Sequence, residues 1–180
     1  MLGRALRWMT REPRYLETKK GRVALLSMCT GNDGWEMAEN PRGGTLGRPG
    51  LALIRLSSQY TVDEKSFEEL KKIAMMLKLD VPHSGGEEIF VSDTELNFLR
   101  NKFKVGDKPG CRRTMNKKDV EDCVRWIKDA RRNADWVLVG YHCHETSFDG
   151  MEYPAEFQTE LAHACIDAGT NVFLGHGPIF

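Results

Sequence analysis

Apolar positions along the chain follow two rhythms. Short unbroken runs stand at 22–28 (RVALLSM), 136–141 (WVLVGY) and 171–175 (NVFLG). Runs of this length without alternation predict strands buried on both faces, as in the parallel sheet of an α/β protein. Between the last two runs, Phe157, Leu161, Ala164, Cys165 and Ala168 recur at helical spacing, which predicts a helix over 155–168. Pro154 suits the first position of that helix and Gly169 its C-terminal cap. Strand, helix and strand make a βαβ unit. Both strands end on polar groups, His142-Cys143-His144-Glu145 and Gly175-His176-Gly177-Pro178, at the strand ends where open α/β sheets collect ligands.

Two further helices are predicted. Thr61-Val62-Asp63-Glu64 has the form of a capping box ahead of Phe67, Leu70, Ile73, Ala74 and Leu77. Asn116 caps DVEDCVRWIKDARR, with Val120, Cys123, Val124 and Ile127 as the buried stripe and basic residues at the dipole's negative end. Residues 88–105 hold the apolar run EIFV and then Phe98, Phe103 and Val105, which face one way if a hairpin precedes the turn at Gly106-Asp107. Cys29 to Tyr60 reads as glycine-rich irregular chain, either a functional loop or disorder.

Composition narrows the function classes. With 180 residues and 41% hydrophobic content, one domain over 1–180 is the expectation. Twenty-six basic and 26 acidic residues leave no global field toward nucleic acid or an anionic membrane. The five cysteines are odd in number and form no CxxC pair, which predicts a reduced, cytoplasmic chain. Arginines break every short apolar run of the N-terminus, so neither an export signal nor a membrane segment is expected.

The candidate chemistry lies at the strand ends. Neighbouring parallel strands about 5 Å apart can bring His142 and His176 to one metal, and imidazole suits zinc, iron or manganese. His144 and Glu145 share the first turn and can serve as a further ligand, a substrate contact or a proton carrier. The same spacing also fits hydrogen-bonded loop histidines with no ligand. His163 is expected to pack against small apolar neighbours, His83 to sit in a turn, and Cys143 to be a buried, neutral thiol. TLGRPG (45–50) reads as a pair of turns or an anion nest, and Arg48 within it as a contact for phosphate or carboxylate or as a solvated side chain.

In chain order, RYLETKKGRVALLS, LGRPGL, YTVDEKSFEEL, ADWVLVGYHCHE and PAEFQTELAHACIDAGTNVFLGHGP resemble the CapA-like proteins of bacterial capsule and poly-gamma-glutamate synthesis. The resemblance covers nearly the whole chain. It implies a calcineurin-like metallophosphoesterase fold, a four-layer αββα sandwich with two divalent ions (Mn, Fe or Zn) between loops at the strand ends. By this likeness His142 and His176 are metal ligands and His144 and Glu145 are catalytic groups at the edge of the site, while Arg48 is the candidate substrate contact on the chemistry of its loop.

The chain also departs from the family pattern. Ile179 stands where a second histidine is expected after Pro178, and the upstream G-D and N-N-H-x-x-D motifs are absent, Asn32-Asp33 lying in a different context. The expectation is therefore a single partial domain at 1–180: an incomplete sandwich without its leading strands and motifs, catalytically impaired and not certain to retain its ions. A non-catalytic accessory or scaffold in capsule polymer assembly, or a gene remnant, is the alternative. The implied partners are a small-molecule or polymer substrate (polyglutamate or polysaccharide) and a second copy joined through an exposed sheet edge.

Overall fold

A computed structural model describes residues 12–31, 36–39, 47–48, 50–77, 92–98 and 101–177. His83, the 88–91 run, Asn32-Asp33 and Pro178-Ile179 lie outside them. The described residues form a mixed α/β fold with three helices and several sheets. They pack as two compact units, one of residues 1–56 with 115–180 and the other of residues 57–114.

In the first unit the main sheet holds β1 (Arg14–Thr18), β2 (Gly21–Cys29), β7 (Trp136–His142) and β10 (Val172–His176), in the order β1-β2-β7-β10. β2, β7 and β10 run parallel and β1 antiparallel. The predicted βαβ unit is present: β7 and β10 are hydrogen-bonded neighbours, joined through helix α3 (Glu156–Asp167). One face of the sheet carries Ala24, Leu26, Met28, Val137, Val139 and Tyr141 into the core. Helix α2 (Lys117–Asn133) covers that face with Cys123, Ile127 and Ala130, and α3 covers it with Phe157, Leu161 and Cys165. The other face is open: Leu16, Leu25, Trp136, Val172 and Leu174 are 41–64% exposed.

A clamp fixes α2 to the chain that follows the glycine-rich segment. Asp119, almost wholly buried, accepts from the Arg55 backbone N–H at 3.1 Å and from its Nε and Nη2 at 2.8 and 2.9 Å. This bond is the main reason that the Arg55 guanidinium is held above its ordinary pKa. The Asn116 cap is as predicted, accepting from Asp119 N–H at 3.3 Å.

The second unit holds β3 (Leu56–Val62), helix α1 (Glu64–Met76), β4 (Glu95–Phe98), β5 (Asn101–Val105) and β6 (Gly110–Met115), with sheet order β4-β5-β3-β6. β4 and β5 pair antiparallel, and Phe98, Phe103 and Val105 pack on a small core of Phe67, Ala74 and Leu96.

Several expectations are corrected. Asp63, not Thr61, caps α1, accepting from Ser66 N–H at 2.9 Å, because Thr61 and Val62 continue β3. Pro154 ends a short strand, and Ala155 is the residue preceding α3. His163 is exposed, since the buried stripe of α3 runs through 157, 161 and 165 and turns 163 outward. Part of the presumed irregular stretch is strand β3. Among the described residues no helix is long and apolar enough to cross a membrane.

Candidate metal centre at the strand ends

In the parallel register His176 pairs with His142, and His142 pairs with Cys29. Residues opposite one another across parallel strands point to the same face. His142 and His176 therefore stand side by side on the open face, with Nδ1 atoms 3.1 Å apart. The turn after β7 adds His144, whose Nε2 lies 2.9 Å from Nε2 of His142. His144 and His176 are exposed and His142 is half-buried.

The strand ends are tied down by backbone. Thr30 N–H donates to the His142 carbonyl at 3.0 Å, and Cys143 N–H donates to the His176 carbonyl at 2.9 Å. Segment 52–54 runs beside the end of β2, with Cys29 N–H donating to the Ala52 carbonyl and Ile54 N–H to the Cys29 carbonyl. Gly177 has φ +142°, and a Cβ there would lie 2.1 Å from the Cys143 carbonyl oxygen, so only glycine lets β10 exit at this point.

A tetrahedral ion with metal–nitrogen bonds of about 2.1 Å holds two nitrogens about 3.4 Å apart. The His142–His176 pair fits that bite as two donors. His144 meets the other edge of the His142 ring, so all three imidazoles do not converge on one ion. Accordingly, among the described residues no group of three or more His, Cys, Asp or Glu side chains is arranged to hold a metal.

Next to the histidines lies a partly buried polar network. Thr30 Oγ1 donates to Glu145 Oε2 at 2.8 Å and stands 2.9 Å from the Tyr141 hydroxyl. Cys143 Sγ donates to the same carboxylate oxygen at 3.0 Å, and Gln158 Nε2 donates to that sulfur at 3.0 Å and to the Glu145 carbonyl. Burial pushes the Cys143 thiol above its ordinary pKa, so it is a neutral donor rather than a thiolate nucleophile. Burial, and then the contact with Cys143, raises the Tyr141 phenol far above its usual range. Glu145 is thus anchored beside the site.

Arg48 stands apart. Its guanidinium donates to the Met37 carbonyl at 3.2 Å and to Glu39 at 3.4 Å, and no described contact joins it to the histidines.

Two cavities meet at His176. A cleft of about 420 Å³ on the open face is lined by Cys29, Leu51, Ala52, Gly140, His142 and His176, among others. A second cavity of about 270 Å³ lies between Tyr141, Glu145, Gln158 and a small hairpin of β8 (Thr146–Ser147) and β9 (Gly150–Pro154). The hairpin and Thr30 were not read from sequence. Thr30 was recoverable in principle, since it follows the strand that lies next to His142.

Residues 7–179 match the model of a family described as bacterial capsule synthesis protein. The uncharacterized proteins y4sH and y4uA of Sinorhizobium fredii (strain NBRC 101917 / NGR234) are each 32% identical over 165 residues, 92% of this chain. That match spans 34% of the length of either relative. With a family match along almost its entire length, the chain belongs to the bacterial capsule synthesis protein family.

Proposed function

We propose that this chain is the histidine-bearing part of a metal-dependent phosphoesterase-like site in a calcineurin-like αββα sandwich. The observation that carries this reading is the His142–His176 pair, in register with nitrogens 3.1 Å apart. The open apolar face supports the sandwich, because a sheet apolar on both sides is the inner layer of a stack and takes a second sheet against it. A divalent Mn, Fe or Zn ion at this pair would supply Lewis acidity and a water of lowered pKa. His142 and His176 would hold it, His144 would face substrate from the rim, and Glu145, fixed by Thr30 and Cys143, would orient the turn carrying both. Arg48 would reach substrate only after leaving Glu39.

Two imidazoles hold a cation loosely, since such sites ordinarily use three or four protein donors. The chain alone is therefore expected to be catalytically impaired, and a longer protein or a partner would complete the ligand set. The outer strands β1 and β10 offer edges for self-association.

The test is a calorimetric titration of the purified chain with Zn²⁺ and Mn²⁺. His142→Ala and His176→Ala should each weaken binding at least about tenfold, and His163→Ala should leave it unchanged. Equal binding by all four proteins would refute the metal reading and favour a non-catalytic accessory role in capsule polymer assembly.

A further inference from the structure

The second cavity bears on what such a site accepts. Met151, Glu152 and Tyr153 of β9 all line this cavity, and Tyr153 and Met151 remain 57% and 63% exposed. An aromatic ring held open at the mouth of a pocket is a stacking platform for a flat-faced ligand. Its charged lining is acidic: Glu145, whose carboxylate is fixed by Thr30 and Cys143, and Glu152 on β9. The described lining of the cavity and of the neighbouring cleft contains no lysine or arginine. Arg48 is engaged by Glu39 and the Met37 carbonyl.

Such a lining opposes a polyanion. A γ-linked glutamate polymer brings a carboxylate with every residue, and within the cavity, away from any ion at His176, each would meet the like charge of Glu145 and Glu152 with no lysine or arginine in the described lining to pair with. A neutral ring bearing hydroxyls meets the reverse conditions. Its hydroxyls donate to carboxylates, and its C–H face stacks on Tyr153. At about 270 Å³ the cavity is slightly smaller than pockets for drug-sized ligands, which start near roughly 300 Å³. That is room for one ring rather than several.

We infer that the cavity between β8–β9 and Gln158 binds a single neutral glycosyl unit, which makes a polysaccharide rather than polyglutamate the polymer presented to His176. The inference rests on the reading above only for the identity of His176 as part of the reacting centre. Binding of the sugar does not require the metal.

The experiment is amide chemical-shift mapping on the isotope-labelled full chain, titrated with maltotriose, N-acetylchitotriose and tri-γ-glutamate at millimolar concentrations. At least one of the neutral trisaccharides should shift Met151, Glu152 and Tyr153 at concentrations where tri-γ-glutamate does not. Tyr153→Ala should weaken that binding about tenfold while leaving the remaining amide spectrum in place. Glu152→Lys should bring tri-γ-glutamate into the cavity. His142→Ala, which removes a metal donor lining only the cleft, should leave saccharide binding unchanged, so the metal reading can fail while this one stands. The inference is overturned if neither trisaccharide shifts the hairpin, if Tyr153→Ala binds as well as the unaltered chain, or if tri-γ-glutamate binds the unaltered chain more tightly than both sugars.

Discussion

The two faces of the β1-β2-β7-β10 sheet are both apolar, yet they are treated differently. One face is sealed by α2 and α3, with Ala24, Val137 and Val139 fully buried. The other presents Leu16, Leu25, Trp136 and Leu174 to solvent, and the histidines stand at its upper edge. Side chains alternate between faces along a strand, so one run such as WVLVGYH supplies both surfaces. An unbroken apolar run therefore marks a strand that needs cover on two sides, even where only one cover is in view.

The difference can be broken by substitution. On the sealed face, Phe157→Ala removes a fully buried ring and should cost about 3–5 kcal/mol, read as a lower denaturant midpoint with unchanged slope. Arg55→Ala removes the guanidinium from buried Asp119, which keeps the backbone N–H of residue 55, and should cost about 2 kcal/mol, whereas Asp119→Ala should cost less because the half-exposed Arg55 turns to water.

High pH sharpens the contrast within the network beside the site. Tyr141 and Cys143 have ordinary pKa values of 10.0 and 9.0, and both are raised in the fold. Above those ordinary values the unfolded chain has released protons that the native state still holds, so stability falls as pH rises past about 9. The slope is up to about 1.4 kcal/mol per pH unit for each group. Thermal melts from pH 7 to 11 should show this, and Tyr141→Phe should flatten the upper part of the curve.

On the open face, Trp136→Ser and Leu174→Ser should change the stability of this chain by less than about 0.5 kcal/mol. A loss above about 2 kcal/mol in either variant would mean that this face is already covered in solution.

Much of this was legible in the sequence because each signal was local. The runs at 22–28, 136–141 and 171–175 became β2, β7 and β10 within a residue or two, and Asn116 capped α2 through its own side chain. β1, β6 and the β8–β9 hairpin were not legible. Their sequences, RYLET, GCRRTM, TS and GMEYP, carry no apolar run, and they are strands because a neighbour offers a ladder. The strand-end histidines were legible as a pair, and the register supplies their nearness. The anchoring of Glu145 was not legible, because Thr30 reaches it across 115 residues and no spacing in the chain encodes that contact.

The in-register pairing of His142 with His176 also bears on how such a site endures sequence drift. The gap between their backbones is the ladder spacing of a β-sheet, about 4.8 Å. It is a lattice constant that no intervening residue sets. Of the 33 positions from Cys143 to Gly175, those outside the Cys143–Glu145 network and the buried stripe of α3 can thus lengthen, shorten or change composition while the two imidazoles keep their separation. The ruler is printed in the peptide backbone, and the segment looping between its two marks is left open to variation.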